Sequence, residues 1–358
     1  MPGVTGREMK AVAFAKCGTN SWNVAASVTK GARFESDGGM KYTPTFVEDK
    51  SFGETFLGPA EYGDIAPPDV TFTGQARYDD YHYILEACAM GSPAAAAVST
   101  SVVGQTTSWR HAIDLAPSID GLCVTVAVDR KLYVEEMTSA KVYGLSESFG
   151  DGGILNQSFK LLGSTVTDIS SVNAAANSTV YTASYPSLLG KIFRNQGVFR
   201  INAQSAGSLV STDAIQAESV EFNFTRPQDQ SHATSSALIM EPADNEFPEV
   251  ALTVTFPRMN TVTANSFRVG LRAGTAYKLD CTYTGLTYIN STDRYSRLIQ
   301  APYAELQDFE TATAGANQVK PKLMFKLKKP SAAPTGMSGV TTPLRITRVM
   351  QNSVNAFA

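Results

Sequence analysis

PDVTFTGQARY spans Pro68–Tyr78, and PEVALTVTFPRM spans Pro248–Met259, 180 positions further on. Both open proline, acid, valine and continue with apolar residues at every second position, the period of a strand with one buried face. Pro68, Val70 and Thr73 align with Pro248, Val250 and Thr253, Asp69 with Glu249, and Phe72 with Leu252. Val70, Phe72, Val250 and Leu252 are therefore the expected core of a strand written twice. The sequel repeats too. After Tyr78, Asp79 and Asp80 offer capping oxygens, Tyr81, Ile84, Leu85 and Cys88 fall at helical spacing, and Gly91 supplies a stop. After Met259, Asn260 to Thr263 offer caps, Phe267 and Leu271 lie four apart, and Gly274 stops the helix. SFKLLG at Ser158–Gly163 and MFKLKKP at Met324–Pro330 echo one another near the end of each half. Strand, short helix, glycine, in one order twice, reads as a tandem duplication.

The rest of the chain is β-rich. Leu122–Val128, Val220–Thr225, Tyr277–Tyr283 and Lys322–Lys328 alternate apolar and polar residues, which predicts sheets with one wet face. FGDGGIL at Phe149–Leu155 reads as a hairpin turn, because Asp-Gly-Gly tolerates positive φ. Small polar residues at Asp168–Thr179 mark the expected join. The reading is a mainly β protein with two tandem sandwich or half-barrel domains, each with one flanking short helix. The first covers residues 1–172 with a long loop at about 38–68, the second 173–330, and an extension follows over 331–358. In that extension, LRITRVM is a candidate edge strand.

With 358 residues, 43% hydrophobic and 18% charged, the chain can bury a sizeable core. A formal net charge of −3 gives no surface that grips nucleic acid by neutralising phosphates. Cys17, Cys88, Cys123 and Cys281 lack ligand spacing and read as buried thiols. The N-terminal residues lack the apolar run of a secretory signal, and no stretch approaches the length of a membrane helix, so a soluble protein made in a cytoplasm is expected.

Catalytic constellations are poor. Ser108, His111 and Asp114 lie within one local run, which does not supply triad geometry. His82 beside Asp79 and Asp80 reads as a helix-face residue beside caps rather than a metal ligand. Glu135 and Glu136, adjacent on a strand, point to opposite faces and cannot flank one bond. The lysines at 320–329 alternate with Leu323, Phe325 and Leu327 and form the solvated face of a strand. No catalytic, cofactor or metal site is expected.

The order of these segments resembles the two-domain tail tube proteins of long-tailed, siphovirus-like bacteriophages. Its carriers are the loop GGMKYTPTFVEDKSFGETFLGPAEYGDIAPP, then DVTFTGQARYDDYHYILEACAMG, GLCVTVAVDRKLYVEEM and AKVYGLSESFGDGGILNQSFKLLG. In the second half they are GVFRINAQ, AESVEFNFTRP, EFPEVALTVTFPRM and LRAGTAYKLDCTYTG. The resemblance implies a structural virion protein of the tail, assembled in the host bacterial cytoplasm. It implies that strands of neighbouring subunits join into a cylinder, three two-domain chains making a pseudo-sixfold ring and rings stacking into a tube for DNA ejection. Implied partners are further copies of itself, the tape measure protein, the tail terminator, tail-tip proteins, and viral DNA passing without specific binding; no membrane is involved. On this view Glu147 and Glu221 are expected on the wet, lumen-facing side. Tyr42, Phe46, Phe52, Phe56 and Tyr62 are expected to reach a neighbouring ring. The competing readings are another baseplate or capsid-decorating protein, or a carbohydrate-binding adhesin with an exposed aromatic cluster.

Overall fold

The computed structural model describes residues 11–17, 21–36, 39–47, 61–91, 99–101, 108–130, 133–168, 172–173, 183–185, 190–257, 261–310 and 320–351. The chain is mainly β. Its first half contains β1 (Ala11–Lys16), β2 (Lys30–Ala32), β3 (Thr43–Val47), β4 (Glu61–Ala66), β5 (Asp69–Gln75), α1 (His82–Met90), β6 (Ser99–Ser101) and β7 (Trp109–Asp114). It continues through β8 (Val124–Asp129), β9 (Val134–Phe149), β10 (Leu155–Gly163) and β11 (Val166–Thr167). The second half contains β12 (Gly197–Ala203), β13 (Ala214–Ile215), β14 (Ser219–Thr225), β15 (Gln228–Asp229), β16 (Ala243–Asp244), β17 (Glu249–Thr255) and α2 (Thr261–Ala273). It ends with β18 (Ala276–Tyr288), β19 (Arg294–Glu310), β20 (Lys322–Leu327) and β21 (Arg345–Met350).

The two series pair alike. β10 lies between β5 and β9, and β20 lies between β17 and β19, all antiparallel. β8 joins β9 and β1, with β2 beyond; β18 joins β19 and β12, with β13 beyond. Register agrees as well as order. Phe159 faces Phe72 on one side and Leu145 on the other, while Phe325 faces Leu252 and Leu306. Ala76 N–H donates to Leu155 O at 2.8 Å, and Phe256 N–H to Pro321 O at 3.0 Å. The two sequence echoes are thus the facing strands of one repeated pair.

Local signals act as their chemistry dictates. Asp80 accepts the amide of His82 at 3.1 Å at the start of α1, and Gly91 ends that helix at φ 64°. Gly152 and Gly153 turn the β9–β10 hairpin at φ 69° and 70°. Val70, Phe72, Val250 and Leu252 are all buried in one core that α1 also enters.

Some expectations fail because strands acquire a second cover. β8 and most of β18 were expected to be half wet, yet every residue of Val124–Asp129 is buried, and so are Lys278 and Asp280. The far side of β8 packs Ala127 with Ala13, Val28, Val134 and Ala183 in a smaller cluster. Lys278 Nζ donates to the carbonyls of Ala206 at 2.6 Å and Thr335 at 3.0 Å, and Arg200 holds Asp280 with two hydrogen bonds. LRITRVM does form a strand, but not an edge: β21 lies between β19 and β7. It sits on β19 as β11 sits on β9.

Candidate self-association surface

The long strands β9 and β19 each serve two sheets, and their second halves build one continuous sheet through both series. Its order is the segment at Ser36, then β5, β10, β9, β14, β17, β20 and β19. One row of cross-strand partners crosses it unbroken: Ser36, Thr73, Ser158, Ser146, Asn223, Ala251, Lys326, Glu305. The junction between the halves is the antiparallel pairing of Phe222–Thr225 with Gly144–Glu147. Leu145 and Leu306 hold equivalent places in their series, since Phe159 and Phe325 face them. Beyond Glu305, β20 is the only strand paired with β19 among the described residues, so the far edge of Leu306–Glu310 ends the sheet.

Alternate residues give this sheet two faces. Phe72, Phe159, Leu145, Phe224 and Val250 form a row on the core side. The other side carries Thr71, Thr73, Gln75, Asn156, Ser158, Ser146, Ser148, Asn223, Thr253 and Thr255, none of them buried. Its charges are mainly acidic, with Asp69, Glu221, Glu249, Glu305, Asp308 and Glu310 against Lys160, Lys322, Lys326 and Lys328. Two of the carboxylates are tied to lysines, Glu249 to Lys326 at 3.5 Å and Glu305 to Lys328.

Glu221 lies exposed on this polar face. Glu147 does not. It is opposite Phe222 on the core side and only 3% exposed. Counting by twos from buried Leu145 puts it inward, and a buried counter-charge makes that tolerable. Arg297 Nη1 donates to Glu147 Oε2 at 2.8 Å, and its Nη2 contacts Glu147 Oε1 and Glu86 Oε1, the latter at 3.0 Å. Arg348 grips Glu86 through Nε and Nη2 at 2.9 and 2.6 Å and reaches Asp80 Oδ1 at 2.9 Å. Gln157 Nε2 bridges Glu86 and Glu147 at 2.7 and 2.6 Å. Burial works to raise the Glu86 carboxyl, but the Arg348 and Arg297 guanidiniums outweigh it and hold its pKa at about 2. This network ties α1, β9, β10, β19 and β21 together beneath the sheet. Sequence reasoning missed it because each member occupies an ordinary polar position in its own strand or helix.

The long loops leave from one end of the sheet. Tyr42 and Phe46, by the β3–β4 hairpin, are 53% and 55% exposed; Tyr62 is opposite Phe46 in the backbone pairing. Phe52 and Phe56 lie outside the described residues. The equivalent loop of the second half, 226–248, grips the first half. Buried Arg226 donates to Ala116 O, Pro117 O and Asp244, Lys141 pairs with Glu241, and Trp22 Nε1 donates to Ile239 O.

The candidate catalytic groups are dispersed. His111 is buried against the Tyr83 ring, Ser108 donates to Asp293, and Asp114 pairs with Arg345. Glu135 binds Arg130, while Glu136 accepts from Asn173. Among the described residues no cluster of His, Cys, Asp and Glu is arranged for a metal ion, and no helix is long and apolar enough to cross a membrane. All four cysteines are free and buried. No protein-family model matches the chain, and no characterised protein matches it in sequence.

Proposed function

We propose that the protein is a structural subunit that polymerises through its sheet edges into rings and a hollow tube, acting as the tail tube of a long-tailed bacteriophage. The observation that carries the reading is the β9–β14 junction. There, the last strand of one four-strand module pairs with the first strand of the next, within one chain. A junction that joins two copies of one unit by unlike surfaces propagates, closing into a ring when the rotation allows. The module of the second half ends on β19, whose Leu306–Glu310 edge takes no further strand among the described residues. In the assembly it receives the segment at Glu35 and Ser36 of another copy, as β9 receives β14.

The hydroxyl- and amide-rich face then lines the bore. Its carboxylates repel phosphate, and its few lysines are too sparse for the multiple contacts that hold DNA in place. An exposed sheet edge is otherwise an aggregation hazard, and consuming it in an ordered contact removes that hazard. Electron microscopy of the purified chain over a range of concentrations tests the reading. Rings built of two-module subunits, stacking into hollow cylinders, are expected; a compact monomer at every concentration refutes it.

A further inference from the structure

Antiparallel pairing fixes which residues lie at which end of the continuous sheet. β17 starts at Glu249, opposite Thr225, and ends at Thr255, opposite Ser219. Phe247, two residues before β17, therefore stands at one end, while the start of β14 and the end of β9 stand at the other. Phe247 is 91% exposed, more than any other large apolar side chain among the described residues. Beside it stand Glu246 and Glu249, both exposed. At the opposite end a groove of about 480 Å³ opens between β9, β12, β13 and β14. Its walls include Phe149, Val198, Ile215, Val220 and Tyr283. Arg194 stands at its rim, with its guanidinium 5.8 Å from the centre of the Phe149 ring.

We infer that Phe247 of one copy seats in this groove of a second copy, so that the contact stacks ring upon ring. The inference rests on the tube reading and names the axial contact it needs. Three features point to a second copy as the occupant. Knob and groove lie at opposite ends of one sheet, so displacement along the sheet brings them together. Glu249 beside the knob already pairs with Lys326 at 3.5 Å, and Glu218 in the groove lining with Lys320 at 2.6 Å, which leaves Glu246 at the knob and Arg194 at the groove as the complementary charges. The two surfaces are unlike, and such a contact repeats without closing, giving an open stack rather than a closed pair.

The test uses the full-length chain, with polymerisation followed by light scattering and ring and tube formation followed by electron microscopy. Phe247→Ala leaves the fold intact, because the ring is exposed. It should leave rings in place and raise the critical concentration for stacking at least about tenfold, the effect of losing a central aromatic anchor. Glu246→Arg should also weaken stacking, and adding Arg194→Glu should restore it at least in part, a reciprocity that a purely structural role does not produce. Stacking by Phe247→Ala at the wild-type critical concentration, or failure of the charge swap to restore anything, overturns the inference while leaving the ring intact. Wild-type stacking only after addition of a different protein also overturns it. If the wild-type chain forms neither rings nor stacks, the tube reading falls and the inference with it.

Discussion

Replacing Arg297 with methionine should be among the most damaging single changes in the molecule, for electrostatic rather than steric reasons. Arg297 is fully buried, and so are the carboxylates it contacts, Glu86 on α1 and Glu147 on β9. Methionine fills most of the same volume, so little cavity forms. Glu86 keeps its two-point contact with Arg348. Among the described residues Glu147 keeps the Gln157 amide alone, a neutral donor, at a buried site. Stranding one member of a buried pair costs about 3–5 kcal/mol, a large part of the roughly 5–15 kcal/mol by which folded domains are stable. Urea unfolding followed by tryptophan fluorescence, which reads Trp22 and Trp109 in the first half, measures the loss.

The control separates charge from shape. In Arg297→Met with Glu147→Leu no carboxylate is stranded, and exchange of a buried pair for apolar residues is commonly neutral or better. The double variant should regain most of the lost stability. A single variant costing less than about 1 kcal/mol, or a double variant no more stable than the single one, refutes the claim that the network is held by charge pairing.

Glu86 has a folded-state pKa of about 2, below its ordinary value of 4.5. Its contribution is therefore complete above pH 4.5 and is lost as the pH falls towards 2. Acid titration of wild type and Glu86→Gln should show that part of the slope missing in the variant. Val250→Asp or Leu252→Asp places a charge without a counter-ion in the core and should unfold the second half, seen as loss of cooperative melting; a neutral result would mean that the strand faces are inverted. Gly91→Ala should destabilise by at least about 1 kcal/mol. Its φ is 64°, and a Cβ there would lie 2.4 Å from Ser118 O, so an unchanged melting temperature would contradict the described turn.

The parts legible in the sequence were those that a residue's immediate neighbours determine. Period two placed Val70, Phe72, Val250 and Leu252 in the core, and Gly91, Gly152 and Gly153 marked turns that need positive φ. Repetition did more, because aligning two short strings also aligned the strands that face them. The failures share one cause. Period two reports that a strand has two environments; it does not report what distant chain covers the second one. Ala127 and Lys278 are covered by segments far away in sequence, and Glu147 faces inward because Arg297, 150 positions away, neutralises it. The pairing of β21 with β7 was equally hidden, since β7 belongs to an insertion between α1 and β8. In the second half only Gly274 and Thr275 separate α2 from β18.

That insertion bears on why the two halves differ. On the proposed reading, a subunit with two modules has one module junction sealed within the chain and one left open. The sealed junction carries contacts available only in cis: Arg226 against the carbonyls of Ala116 and Pro117, Glu241 against Lys141, and β7 against β21. The groups they meet at residues 109–121 lie in the insertion or just after it, and the second half has no equivalent there. The open junction must therefore form with fewer clasps than the sealed one, through strand pairing. A weaker open junction makes ring formation steeply dependent on subunit concentration, because each open pairing forms without those clasps. Chains carrying Lys141→Met should weaken only the sealed junction, losing folding stability without changing the concentration at which rings form. If ring formation fails at the temperature where the variant is still folded, the two junctions are coupled and the division of labour between them is wrong.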